Sequence, residues 1–154
     1  MVNTDGSLNC SSREAGSGYV IRNYLGEFVE AGCRKYPHID DPFISELLAS
    51  RDGLEAAARL GIPKIIIQTD CSSLAELWQD ERQTRSEGAH VLGEMKMMCV
   101  NFQEVKLLFL GRDANKAAHR CAKEALSVVD FVRFDVIPGF LTELIQSECS
   151  HYPV

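Results

Sequence analysis

The segment Lys64–Thr69 leaves the fewest choices of fold. Three consecutive β-branched residues, Ile65-Ile66-Ile67, stand between Lys64 and Gln68. An unbroken run of this kind predicts a strand buried on both faces, since a strand with one wet side alternates apolar and polar residues. The preceding residues fix its connection. From Phe43 to Leu60, Ile44, Leu47, Leu48, Leu54 and Ala58 recur at helical spacing in a stretch rich in Ala, Leu and Glu. Gly61 then predicts a C-cap and Pro63 a stop. A helix feeding a doubly buried strand is half of a parallel crossover, so the chain reads as an α/β domain.

The other elements arrange themselves around that unit. A very short strand is predicted at Val2–Asp5, and a polar loop over Ser7–Ser17, rich in Ser and Gly. Strands follow at Gly18–Arg22 and Glu27–Lys35, joined by the turn signal Asn23–Gly26 as an antiparallel hairpin. Pro37–Pro42 breaks the pattern before the long helix. Beyond the Ile strand, Ser72 or Ser73 caps a short helix through Trp78, and the polar stretch Asp80–Ser86 reads as a bend. A helix is predicted over Glu87–Phe102, a strand over Glu104–Leu110 and a loop over Gly111–Ala114. An Ala-rich helix capped by Asn115 is predicted to run to Val129. These divide the chain into a domain of residues 1–130 and a C-terminal tail of residues 131–154. The tail has a short helix around Phe140–Ile145 laid on the domain.

Composition narrows the function classes. At 154 residues, with 45% hydrophobic and 25% charged residues, one core forms without a disulfide or structural metal. No apolar run approaches the ~20 residues of a membrane span. The N-terminus lacks the basic start and apolar stretch of a secretory signal, so an intracellular protein of the nucleus or cytoplasm is expected. Cys10, Cys33, Cys71, Cys99, Cys121 and Cys149 form no CxxC pair and no zinc-ligand spacing; they read as free thiols, Cys99 and Cys121 in the core. A central strand starting so near Met1 reads as a domain taken from a longer protein. The net charge of −6 argues against a strongly basic nucleic-acid binder. A phosphate-bearing partner would need a local basic patch, or metal ions that reverse the local sign.

Three acids stand where such ions would bind. Asp5 ends the first strand, Asp70 ends the Ile strand, and Glu46 lies in the first turns of the long helix. If the first and fourth strands are parallel neighbours, Asp5 and Asp70 emerge side by side within reach of Glu46. Clustered carboxylates repel unless a cation shares them, and Mg²⁺ takes such oxygen ligands. Each acid also has an ordinary reading, as a turn residue, a helix cap or a favourable charge at a helix N-terminus.

Five segments in order carry a resemblance: VNTDGS at Val2–Ser7, GSGYVIRNYLGEF at Gly16–Phe28, SELLASRDGLEAAARLG at Ser45–Gly61, IIIQTDC at Ile65–Cys71 and GRDANKAAHRCAKEAL at Gly111–Leu126. With the tail VIPGFLTELIQSE at Val136–Glu148, the chain resembles the ribonuclease H-like family over nearly its whole length. It is most similar to the plant reverse-transcriptase-derived group. The resemblance implies a five-stranded mixed sheet of order 3-2-1-4-5 flanked by helices. It also implies metal-dependent hydrolysis of the RNA strand of RNA–DNA hybrids by two Mg²⁺ or Mn²⁺ ions on Asp5, Glu46 and Asp70.

The last of the five segments departs from the family pattern at the fourth acid position. Arg112, Asn115 and Ala118 match, but His119 stands where the pattern has Asp. His119 can ligate a metal, preferring Mn²⁺ or Zn²⁺ to Mg²⁺, shuttle a proton, or simply pack at a helix start. Asp113 is a less favoured substitute acid. Gly6, Ser7, Cys71 and Asn115 are the candidate substrate contacts, Cys71 as a small neighbour and not a nucleophile. Arg82, Arg85 and Lys96 fall where some relatives carry a basic hybrid-binding protrusion, but interleaved acids make that stretch a solvated face. Trp78 and Met95, Met97 and Met98 read as packing. The sequence therefore reads as a slow, monomeric hybrid ribonuclease. The rival reading is a catalytically degenerate module that binds nucleic acid or a protein partner. A small-molecule α/β enzyme is disfavoured, because the chain has neither a Gly-rich phosphate loop nor a GxSxG elbow.

Overall fold

The Ile strand sits where its pattern demands, between two parallel neighbours. In the computed structural model, which describes residues 1–80 and 87–149, β1 spans Val2–Asn9, β2 Glu14–Arg22, β3 Phe28–Pro37, α1 Pro42–Arg59, β4 Lys64–Thr69, α2 Ser72–Gln79, α3 Ala89–Met98, β5 Glu104–Phe109, α4 Lys116–Ala125, β6 Phe131–Phe134 and α5 Thr142–Cys149. The sheet order is β5-β4-β1-β2-β3-β6. β4 pairs parallel with β1 and β5, and all other pairs are antiparallel. α1 is started by Asp41, whose carboxylate accepts the Phe43 N–H, and by Pro42 in the first turn. It is closed by Gly61 at φ 68°.

Two apolar layers sandwich the sheet. On one face Leu47, Leu54, Ala57, Ile65, Ile67, Leu74, Met95 and Leu107 pack between the strands and α1–α3. On the other, Val20, Ala31, Cys33, Ala117, Cys121, Leu141 and Ile145 pack under α4 and α5. α4 covers β1–β3; over β4 the cover is thinner, and Ile66 is only half-buried. Cys10, Cys33, Cys71, Cys99 and Cys121 are free thiols; the side chain of Cys149 lies outside those described.

Four expectations are corrected. The sheet has six strands, not five, because Phe131–Phe134 pairs antiparallel with β3 from Ala31 to Arg34. Val132 and Phe134 point into the α4–α5 layer, a tertiary reward that four residues of local pattern do not announce. The loop expected over Ser7–Ser17 is mostly strand. β1 runs to Asn9 and β2 starts at Glu14, with a tight turn where the Asn9 side chain accepts the Ser11 and Ser12 N–H groups. Gly16 there serves close packing: a Cβ on it would run into the Ala122 carbonyl oxygen and meet the Ala125 Cβ at 2.9 Å. α4 ends at Ala125 instead of Val129, releasing the chain so that the Asp130 carbonyl accepts the Lys35 N–H at 2.8 Å and β6 can pair. Asn115 occupies the N-cap position of α4 without a side-chain capping bond. The Thr4 carbonyl of β1 lies against that helix end and takes its Nδ2 at 3.0 Å instead.

Candidate active site

Parallel pairing of β1 and β4 sets Thr4 opposite Thr69, so Asp5, which lies within β1 and does not end it, and Asp70, just past the end of β4, stand as neighbours. α1 delivers Glu46 to the same point. Its approach depends on Gly6, where a Cβ would meet the Ser45 Oγ at 2.6 Å and the Glu46 nitrogen at 2.7 Å. Carboxylate oxygens of Asp5, Glu46 and Asp70 lie within 4.8 Å of one another. They stand in a cleft of about 380 Å³ that Gly6, Arg112, Asp113, Lys116 and His119 also line.

Electrostatics makes this cluster costly by itself. Burial, with the Asp70 charge second, raises the Asp5 pKa to about 6. Burial, then Asp5 and Asp70, pushes Glu46 to about 9, with the Gly6 backbone acting in the opposite direction. Oε2 of Glu46 is buried with no hydrogen-bond partner. A buried orphan oxygen among three convergent hard ligands is the donor chemistry a divalent cation satisfies, so the residues fit the metal that the fold implies.

His119 comes from the end of the first turn of α4, half-exposed, with Nδ1 at 2.7 Å from Asp5 Oδ2. It thus joins the acids and does not pack at the helix start. Arg112 places Nε at 3.4 Å from Asp70 Oδ2 from an exposed position. Asp113 is fully exposed, 4.0 Å from Lys116 Nζ, and stays outside the cluster of three. Lys116 lines the cleft yet carries no motif signal; only its i, i+3 spacing to His119 on α4 places it there.

The candidate substrate contacts separate. Gly6 lines the cleft and, with Cys71, an adjoining groove that reaches Ser72 and Ser73 at the start of α2. Burial raises the Cys71 thiol pKa, which suits a neutral neighbour. Ser7 pairs with Gly16 and lines neither cavity. Asn115 is buried and engaged with β1. Lys96 lies over the Trp78 ring at 4.7 Å and donates to the Trp78 carbonyl, away from the cleft. Arg82 and Arg85 lie outside the described residues.

The sequence pattern of the reverse-transcriptase-like family matches residues 3–125. The chain belongs to that family. All three acids and His119 fall within the matched segment. Among solved structures, this family member is similar to RNase H1 from Halobacterium salinarum, at 21% identity and TM-score 0.76 over 82% of this chain and 96% of that one. It is also similar to the N-terminal RNase H domain of a Mycobacterium tuberculosis protein, at 16% identity and TM-score 0.74 over 82% and 91%. LC11-RNase H1, solved in complex with an RNA/DNA hybrid, matches at 14% identity and TM-score 0.73 over 82% and 95%. The fold is therefore ribonuclease H-like, with β6 added. No curated protein matches the sequence.

Proposed function

We propose that the protein is a divalent-metal-dependent endoribonuclease that cleaves the RNA strand of RNA–DNA hybrids. The observation that carries this reading is the convergence of Asp5, Glu46 and Asp70 within 4.8 Å in a ribonuclease H-like fold, with one Glu46 oxygen left unpaired. Asp5, Glu46 and Asp70 would hold two Mg²⁺ or Mn²⁺ ions. Such ions, when bound, activate water and stabilise the charge developing on the phosphodiester.

The chain's own residues do the rest. The Gly6 backbone beside Glu46 favours the charged form of its carboxylate. His119 holds Asp5 through Nδ1, leaving Nε2 as the nitrogen that exchanges a proton with solvent or with the departing strand. Arg112 and Lys116 put positive charge at the cleft rim, which offsets for a polyanion the chain's net charge of −6. Three carboxylates where the family pattern has four imply slow turnover, and an imidazole beside the site favours Mn²⁺ over Mg²⁺. We further propose, from the likeness of the five segments, that the chain is a member of the plant reverse-transcriptase-derived group.

Cleavage of a labelled RNA–DNA hybrid in Mg²⁺ and in Mn²⁺, with Asp70→Asn beside the parent, tests the reading. Cleavage by the parent that vanishes in the variant is the expected result. A folded parent inactive in both ions overturns it. One observation favours the second reading, a non-catalytic hybrid-binding module: His119 already occupies an Asp5 oxygen. That module would retain hybrid binding without cleavage, and His119→Asp would leave both unchanged.

A further inference from the structure

The C-terminal helix is wired to the candidate site from behind. Glu148, near the end of α5, is 4% exposed. Its Oε1 accepts the Ala117 N–H at 2.9 Å, in the first turn of α4. Its Oε2 accepts Arg22 Nη2 at 2.5 Å. The Arg22 side chain is fully buried, and its Nη1 donates to Asn3 Oδ1 at 2.7 Å. Asn3 in turn donates through Nδ2 to Gln68 Oε1 at 3.2 Å.

The three places where this network touches the protein framework share one relation. Asn3, Gln68 and Ala117 each stand two residues before a site residue: Asp5, Asp70 and His119 respectively. Along a strand, residues i and i+2 share a face, so Asn3 and Gln68 occupy the sheet positions directly behind Asp5 and Asp70. On α4, Ala117 belongs to the turn that presents His119. A carboxylate at a helix N-terminus also meets unpaired N–H groups and the favourable end of the helix dipole. A buried ion pair supplies little net stability beyond an apolar pair of the same volume. Here it ties three strands, β1, β2 and β4, to two helices, α4 and α5, by directional bonds.

We propose that Glu148 is a positioning residue for the acid cluster, setting the spacing of Asp5, Asp70 and His119 through Arg22, Asn3 and Gln68 and through the first turn of α4. Its effect on cleavage rests on the nuclease reading above; its effect on site geometry does not.

The test compares the full chain with Glu148→Gln, the paired apolar replacement Arg22→Met with Glu148→Leu, and Ile145→Ala, a packing change on the same helix outside the network. Three quantities are read at one fixed pH: the His119 ring ¹H–¹³C signals, Mg²⁺ affinity by calorimetry, and kcat and KM on a labelled hybrid. Loss of a group that orients ligands costs ~10-fold or more. The folded double variant is expected to displace the His119 signals, weaken Mg²⁺ binding about 10-fold and lower kcat about 10-fold with KM unchanged. Glu148→Gln, which keeps an oxygen for the Ala117 N–H, should fall between it and the parent. Ile145→Ala should lower thermal stability without moving the His119 signals.

Unchanged His119 signals in the folded double variant overturn the proposal, as does an equal displacement in Ile145→Ala. Should the double variant fail to fold, an undisplaced His119 in folded Glu148→Gln overturns it. A parent that cleaves no hybrid sinks the nuclease reading, while the His119 signals still decide the positioning role.

Discussion

Glu46→Gln is expected to stabilise the metal-free protein at alkaline pH while abolishing hybrid cleavage. Glu46 has an ordinary pKa of 4.5 raised to about 9, and Asp5 one of 3.8 raised to about 6, each chiefly by burial. A carboxyl whose folded pKa lies above its unfolded value holds its proton more tightly when folded. Its contribution to stability is complete below the unfolded value and is lost as pH rises through the folded one. Metal-free protein should therefore lose stability from about pH 5 to about pH 9. At about 1.4 kcal/mol per pH unit the two groups account for ~5 kcal/mol between pH 5 and 8. Water in the open cleft screens part of this, leaving about 2–3 kcal/mol, or ~5–10 °C in Tm for a chain of this length. Asp52, buried beside Ser17 and Tyr36, is raised by burial as well and adds in the same direction. The difference between parent and Glu46→Gln isolates the site. The assay is thermal unfolding by circular dichroism in chelator at pH 5, 6, 7, 8 and 9. The expected curve falls steeply for the parent and more gently for the variant, which is the more stable above pH 7. Parallel curves, or a parent whose stability rises over this window, would show that the buried carboxyls do not set the pH dependence.

The same cluster predicts that Mg²⁺ at about 10–100 times its Kd adds ~1.4–2.7 kcal/mol at pH 8 to the parent and much less to Asp70→Asn, read as a Tm shift. His119→Asp places a fourth carboxylate against Asp5: it should lower the chelator-state Tm and raise divalent-ion affinity about 10-fold by calorimetry. Gly18→Ala, with its new methyl at 2.6 Å from the Ala118 carbonyl, should cost about 2–3 kcal/mol in denaturant unfolding, with the α4 amides exchanging faster.

Much of the fold is written in residues whose local pattern and tertiary role agree. Ile65–Ile67 is apolar because the strand is internal, and Asp41-Pro42 and Gly61 bracket α1 because a helix end needs those residues. Asp5, Glu46 and Asp70 were legible as a set once β1 and β4 were read as parallel neighbours. Other features answer to partners far away in sequence. Gly16 and Ser17 look like loop residues but form strand: α4 rides too close to Gly16 for a larger residue, and the Ser17 hydroxyl donates to Asp52 of α1. His119 was visible only as a departure from a motif; its contact with Asp5 spans 114 positions. Glu148 gave no signal, because a carboxylate near the end of a short helix looks like any solvated one until Arg22 is found beneath it.

The added strand β6 has a consequence for the chain's solubility. β3, ten residues long, would otherwise be the last strand of the sheet on that side. A long strand with unpaired N–H and C=O groups is a template for other chains. β6 covers Ala31–Arg34 and presents in its place only four residues, Arg133 among them, to any newcomer. A protein cut at residue 130 would lose that guard and would also uncover the Val20, Cys33 and Cys121 surface beneath Leu141 and Ile145. It should form large species by light scattering where the intact chain stays dispersed. The C-terminal segment therefore covers a sheet edge and an apolar layer at once.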